Sequence, residues 1–303
     1  MENSHIPVKG ALVVGGTLQT TEVIDLANSS ITLDFKELPS YQTVGVGGVL
    51  GDKPIICGGN DNNGVTNYCL RFENETHAEE KWTSINVYLN NVRSDIASIQ
   101  LQPNRMWIIG GLGCKHFFRL PLFMTVTYIW SPLMSFFLSH LFFDFCINMI
   151  VSILDSSIYY DSTEFIDLDT NNSFQRLDGP KLPHYMKSMC AVKVEEQIYI
   201  IGGQSKCDHL VIPCEPGSTT DLKEVWIYNS TDFKDQHGFD EQLYEEGPSM
   251  ARGRYGHACG LMKNGNKSMI VAAGGWSGST SVEILDLTTN EWSSGTSDKR
   301  LWS

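Results

Sequence analysis

Basic side chains are scarce: 22 lysines and arginines stand against 35 aspartates and glutamates, giving a formal net charge of -13 and a pI near 5.0. A duplex nucleic-acid binder needs a basic face to displace counterions from phosphates, so that class is excluded. Closely spaced cysteines are missing too, and without a C-x₂₋₄-C pair no zinc site can start. His5, His77, His184, His209, His237 and His257 are scattered and show no metal-ligand spacing. There is no phosphate-cradling glycine loop and no nucleophile elbow. Residues 1–9 hold no apolar signal core, so the chain as written reads as cytoplasmic, with secreted and membrane locations as alternatives. Little helix-forming Ala, Glu or Lys is present. What is abundant is apolar and turn-forming: hydrophobic residues make up 42%, aromatics 11%, and there are 27 glycines. That composition excludes global disorder and favours an all-β chain rich in turns.

A short apolar run ending in Gly-Gly occurs five times. The runs are Ala11-Leu12-Val13-Val14 before Gly15-Gly16, Pro54-Ile55-Ile56-Cys57 before Gly58-Gly59, and Met106-Trp107-Ile108-Ile109 before Gly110-Gly111. Two more are Ile198-Tyr199-Ile200-Ile201 before Gly202-Gly203, and Met269-Ile270-Val271-Ala272-Ala273 before Gly274-Gly275. Their β-branched and aromatic content predicts buried strands, and a terminal glycine pair permits positive φ and close backbone approach. A second element follows: Thr21-Glu22-Val23-Ile24-Asp25-Leu26, Thr163-Glu164-Phe165-Ile166-Asp167-Leu168 and Val282-Glu283-Ile284-Leu285-Asp286-Leu287, with looser copies at 67–72 and 223–228. Polar turns and an aromatic (Phe35, Trp82, Phe174 or Trp292) predict a further strand after it, and 188–194 and 255–262 predict strands before the glycine pairs. Four strands per unit, repeated radially, is a propeller signature.

The Gly-Gly strand end followed by Val-Glu-Ile-Leu-Asp-Leu-Thr-Thr-Asn-Glu-Trp at 282–292 closely resembles a kelch repeat. The resemblance covers nearly the whole chain outside one segment and implies a kelch-type β-propeller of about five four-stranded blades. No BTB-like helical domain accompanies it. The chain enters at the Ala11 strand without a preceding first strand and supplies no closing strand after Trp292, so an incomplete ring is expected. WD repeats are the near competitor, but the recurring Trp-Asp strand ends are lacking.

The first glycines of the pairs stand at 15, 58, 110, 202 and 274, at intervals of 43, 52, 92 and 72 residues. Kelch units run near ~50 residues. The surplus in the third interval divides the chain into 1–113 (blades one, two and the start of three), an apolar insertion at 114–160, and 161–303 (the rest of blade three and blades four and five). Within the insertion, 117–154 carries only Arg119 and Asp144 as formal charges. Such a run suggests a membrane segment, yet Pro121 and Pro132 interrupt it, Asp144 would lie mid-span, and one crossing would separate the strands of blade three. Its richness in Phe, Leu, Ile, Met and Val also matches a pyrimidine-rich intron read in frame. A membrane partner is expected only if this segment is genuine. In the fourth unit, 204–221 and 232–246 are polar and read as surface loops.

Cys57 and Cys69 fall on adjacent predicted strands and could form a disulfide, as could Cys207 and Cys214 around a small loop; such pairs imply an oxidising compartment. The alternative is that Cys57, Cys190 and Cys259 are small buried strand residues. Five Asn-x-Ser/Thr sequons occur, at Asn28, Asn74, Asn171, Asn229 and Asn266. Turn composition alone produces such triplets, although exposed turns suit glycans.

The kelch resemblance implies a non-catalytic, monomeric module without cofactor or metal, its partner docking on one loop face. Interblade loops at 39–43, 87–93, 181–187 and 247–254 then supply Tyr41, Arg93, His184, Tyr185, Arg252 and Arg254, and Trp276 follows a glycine pair. Arg and aromatic residues dominate interface hot spots. A basic ring centre on an acidic protein would attract a protein or acidic peptide. Alternatively, these residues cap strands and pair with neighbouring carboxylates. Two other functions remain open: an extracellular or membrane-anchored kelch protein of adhesion or glycan recognition, and a kelch-type oxidase or isomerase. The last is disfavoured because Tyr68 and Cys69, adjacent along a strand, face opposite sides.

Overall fold

The computed structural model describes residues 10–14, 19, 21–25, 30–35, 37–73, 81–114, 157–206, 218–233, 243–265, 267–276 and 280–295. Among them the chain is all-β: a series of antiparallel sheets, several of them four-stranded, consistent with a propeller-like fold. The first sheet holds β1 (Gly10–Val14), β2 (Thr21–Asp25) and β3 (Ser30–Phe35). In the second, β4 (Val46–Leu50) and β5 (Lys53–Cys57) lead into a small hairpin of β6 (Asn60–Asp61) and β7 (Gly64–Val65), followed by β8 (Tyr68–Glu73) and β9 (Lys81–Tyr88). The third has β10 (Ala97–Gln102), β11 (Arg105–Ile109), the added pair β12 (Leu112–Cys114) and β13 (Ser157–Tyr159), then β14 (Thr163–Leu168) and β15 (Phe174–Asp178). The fourth begins with β16 (Met186–Lys187), β17 (Cys190–Val194) and β18 (Gln197–Ile201). After β19 (Gln204–Lys206) and β20 (Thr219–Asp221), which form a separate three-stranded sheet with β16, it continues through β21 (Val225–Asn229) and β22 (Tyr244–Glu246). The fifth has β23 (Ala258–Asn264), β24 (Lys267–Ala273), β25 (Val282–Asp286) and β26 (Glu291–Gly295).

Residues before the glycine pairs are apolar without a break because both faces of these strands are covered. Along β11, Met106 and Ile108 point into the layer shared with the second sheet, while Trp107 and Ile109 point into the layer shared with the fourth. Along β18, Ile198 and Ile200 join that same layer, and Tyr199 and Ile201 join the layer shared with the fifth sheet. Strand alternation thus feeds two cores instead of one core and solvent. First strands pack side by side in the order β4, β10, β17, β23.

Glycine pairs fix how one sheet meets the next. At Gly58, Gly110 and Gly202 φ is +62°, +58° and +58°, and a Cβ at these positions would lie 2.7, 2.7 and 2.6 Å from the carbonyl oxygens of Arg93, Met186 and Arg254. No side chain fits there. The second glycine then donates its N–H to that same incoming carbonyl: Gly59 to Arg93 at 2.6 Å, Gly111 to Met186 at 2.9 Å and Gly203 to Arg254 at 2.7 Å. A further backbone chain crosses the sheets two residues before each first strand. Asp95 N–H donates to Val44, Ser188 to Asp95 and Gly256 to Ser188, at 3.0, 2.7 and 2.8 Å, all four residues having φ between +49° and +61°. Gly15 and Gly16 lie outside the described residues, and Gly274 and Gly275 share the positive φ of the other pairs.

The polar loops of the fourth unit differ from expectation at their ends. Gln204–Lys206 pairs with Thr219–Asp221, and Tyr244–Glu246 is the outer strand of the sheet. Backbone pairing, not apolar patterning, forms these short strands. In the third unit, Leu112, Gly113 and Cys114 pair with Tyr159, Ile158 and Ser157. The chain's exit at Cys114 and its return at Ser157 therefore lie side by side. The body of the 114–160 insertion, including 117–154, lies outside the described residues, and no helix among the described residues is long and apolar enough to cross a membrane.

Candidate interaction surface

Arg93 and Arg254 occupy equivalent positions, four residues before the first strands of the third and fifth sheets, and each is 0% exposed. Arg93 Nη1 donates to the carbonyls of Gly110 (3.0 Å) and Ser162 (2.7 Å), and Nη2 to Ser162 Oγ (2.8 Å), with Glu164 Oε1 2.6 Å from Nη2. Arg254 repeats the pattern on Gly274 (3.0 Å), Ser281 O (2.9 Å), Ser281 Oγ (2.8 Å) and Glu283 Oε1 (2.8 Å). The second carboxylate oxygen of each glutamate accepts the backbone N–H three residues before its arginine: Asn90 to Glu164 at 2.8 Å and Ala251 to Glu283 at 2.7 Å. Burial pushes the Arg93 guanidinium below its ordinary value, against the opposing pull of Glu164. Both arginines are thus enclosed in joints between backbone segments of their own units. The positive charge expected to form a basic ring centre is paired with Glu164 and Glu283, and neither guanidinium is open to solvent.

Glu164 and Glu283 were not singled out by the sequence reading, although a signal existed. Ser-x-Glu (Ser162-Thr163-Glu164, Ser281-Val282-Glu283) stands only in the units that carry the arginine. The register-equivalent positions in the second and fourth units are Leu70 and Trp226, and the arginine positions there hold Gln42 and Met186, both buried.

The remaining expected residues sit at the same end of the sheets as the glycine pairs. Trp276 is 80% exposed and stacks on Tyr255, with ring centroids 6.5 Å apart and planes within 7°. Tyr185 is 43% exposed and Arg252 is exposed. Tyr41 is half-buried, and His184, also half-buried, packs edge-on against Trp226 at 5.6 Å. Beside them runs a polar network. Tyr159 donates to Gln204 Oε1 (3.0 Å), Gln204 Nε2 donates to Asp221 (3.2 Å), and Lys187 Nζ lies 5.3 Å above the Tyr159 ring. Burial, then the nearby Asp95 and Tyr255, hold the Tyr159 hydroxyl above its ordinary range, so it remains a donor. His257 is buried against the fifth joint, and burial together with Arg254 pushes its imidazole down to about 4. Among the described residues no three His, Cys, Asp or Glu side chains gather as a metal site.

Cys57 and Cys69 form a disulfide between register partners of β5 and β8, with Cα atoms 4.1 Å apart. A second disulfide, unanticipated, joins Cys190 of β17 to Cys259 of β23 across two sheets, with Cα atoms 6.0 Å apart and 69 residues between them in sequence. The Cys207–Cys214 pair lies outside the described residues. No known family's sequence profile matches this chain, and no curated protein matches it.

Proposed function

We propose that the chain is a non-catalytic protein-interaction module: a kelch-type β-propeller of about five blades, whose partner docks on the glycine-pair end of the sheets. The observation that carries this reading is exposed Trp276, stacked on half-buried Tyr255 and sharing that end with exposed Tyr185 and Arg252. Aromatic and arginine side chains presented on rigid strand ends fit a hot-spot cluster. The partner is a protein segment. Arg252, not Arg93 or Arg254, supplies the positive charge for any acidic residue in it. The test is capture of binding proteins by the immobilised chain: Trp276→Ala combined with Arg252→Glu is expected to abolish specific capture, and undiminished capture would remove this face from consideration.

A second reading, an extracellular kelch protein of adhesion or glycan recognition, is favoured by one observation. All four cysteines whose side chains are described are paired in disulfides, and disulfides persist in oxidising compartments. Alkylation of the native protein without reductant tests it: protection of Cys57, Cys69, Cys190 and Cys259 supports it, and labelling of those four excludes it.

A further inference from the structure

We infer that Asn171 and Asn229 are N-glycosylation sites, on the end of the sheets opposite the proposed docking face. The inference rests on the extracellular reading, not on partner docking. Sequons in turns are ambiguous by themselves, because Asn is a turn former. The local geometry removes that ambiguity at Asn171. The turn between β14 and β15 is built by Asp169, whose Oδ1 accepts the N–H groups of Asn171 and Ser173, both at 2.8 Å. Asn172 supplies the left-handed residue at φ 60°. The Asn171 side chain makes no turn hydrogen bond; Asn171, Asn172 and Ser173 are all exposed. At Asn229, which caps the 3-10 turn Ser230–Asp232, the side-chain Oδ1 accepts from Thr231 N (3.1 Å) and Thr231 Oγ1 (2.8 Å), its amide nitrogen makes no hydrogen bond, and both Asn229 and Thr231 are exposed.

Position makes both sites compatible with a bulky group. β11 and β14 are joined past Gly110, and β18 and β21 past Gly202; the turns after β14 and β21 therefore emerge at the other end of each sheet. Strands of five or six residues put about 15–20 Å between a glycan there and the Trp276 end. The second, independent observation is the compartment: Cys190–Cys259 joins two sheets and Cys57–Cys69 joins two strands, chemistry that belongs to the route on which glycans are attached. Asn28, Asn74 and Asn266 lie outside the described residues. In the modification, the asparagine amide nitrogen loses a proton and bonds to the anomeric carbon of an oligosaccharide carried on a polyprenyl diphosphate. The anomeric C–O bond breaks, and the lipid diphosphate leaves with the electron pair.

The test uses the full chain isolated from its native source. It is alkylated without reductant, then treated with peptide-N-glycosidase in heavy-oxygen water and mapped by peptide mass spectrometry. The expected result is protected cysteines, with Asn171 and Asn229 converted to aspartate carrying heavy oxygen. Protected cysteines with both asparagines unmodified would overturn the glycosylation inference alone. Labelled thiols with unmodified asparagines would overturn it together with the extracellular reading.

Discussion

The third and fifth sheets close their joints with ions, whereas the second and fourth close the same joints without an ion pair. Arg93–Ser162–Glu164 and Arg254–Ser281–Glu283 fill one arrangement; Gln42 with Leu70, and Met186 with Trp226, fill the other. The backbone stitches do not change: the second glycine meets the incoming carbonyl whether that residue is Arg93, Met186 or Arg254. What the repeat specifies is therefore the approach of main chains at a position where only glycine fits. The side chains beside it are a local solution, and charged or uncharged sets serve provided the whole set is consistent.

The comparison breaks most visibly if one ion is removed. Arg93→Ala leaves Glu164, nearly fully buried, without its main counter-ion and is expected to cost about 3–5 kcal/mol, read as a lowered denaturant midpoint. Replacing the pair together, Arg93→Met with Glu164→Leu, turns the third joint into a relative of the fourth and is expected to recover most of that loss, to within about 1–2 kcal/mol of the parent. If the double variant is as unstable as the single one, the two joint types are not interchangeable.

A covalent tie distinguishes the fourth and fifth sheets from their neighbours. Cys190→Ser with Cys259→Ser opens a link spanning 69 residues, against 12 for Cys57–Cys69. Chain entropy alone assigns the longer link about 4 kcal/mol and the shorter about 3 kcal/mol. Thermal unfolding of the two serine pairs in parallel checks that order.

Acid distinguishes the two ionic joints from each other. His257 stands against the fifth joint where Ile96 stands against the third. Its folded imidazole is neutral down to about 4, whereas in the unfolded chain it takes up a proton near pH 6.5. The unfolded state thus binds more protons between those values, and stability falls as pH drops from about 6.5, levelling off below about 4, by up to about 3 kcal/mol. Denaturation at pH 7 and pH 4.5 is expected to show this slope in the parent and its loss of one titrating group in His257→Met. The smallest stability effect belongs to the surface: Trp276→Ala, at a residue 80% exposed, is expected to change stability by less than about 0.5 kcal/mol.

Much of the sheet architecture was legible in the sequence because burial on both faces writes itself as unbroken apolar runs. β5, β11, β18 and β24 each end at a glycine pair as the pattern requires. The hairpin β6–β7 and the pair β19–β20 were not legible, since polar residues form them through backbone pairing alone. Nor was the left-handed series Val44, Asp95, Ser188 and Gly256, where four unlike residues share one conformation imposed by the neighbouring sheet. The candidate surface was legible only as a set of residue types. Arg93 and Arg254 carry the composition of a hot spot but are consumed by Glu164 and Glu283, partners that lie 71 and 29 residues along the chain. Trp276 and Tyr185 remain outside. Cys190 and Cys259 belong to different repeats, and no spacing rule connects them.

We propose a division of labour: buried arginines hold the joints, and the exposed aromatic end is the docking face for a protein partner. It is tested most directly by measuring capture with two folded variants side by side, Arg93→Met/Glu164→Leu and Trp276→Ala/Tyr185→Ala. Retained capture by the first and lost capture by the second is the predicted result. Lost capture by the first, with its fold intact, and retained capture by the second would contradict the account.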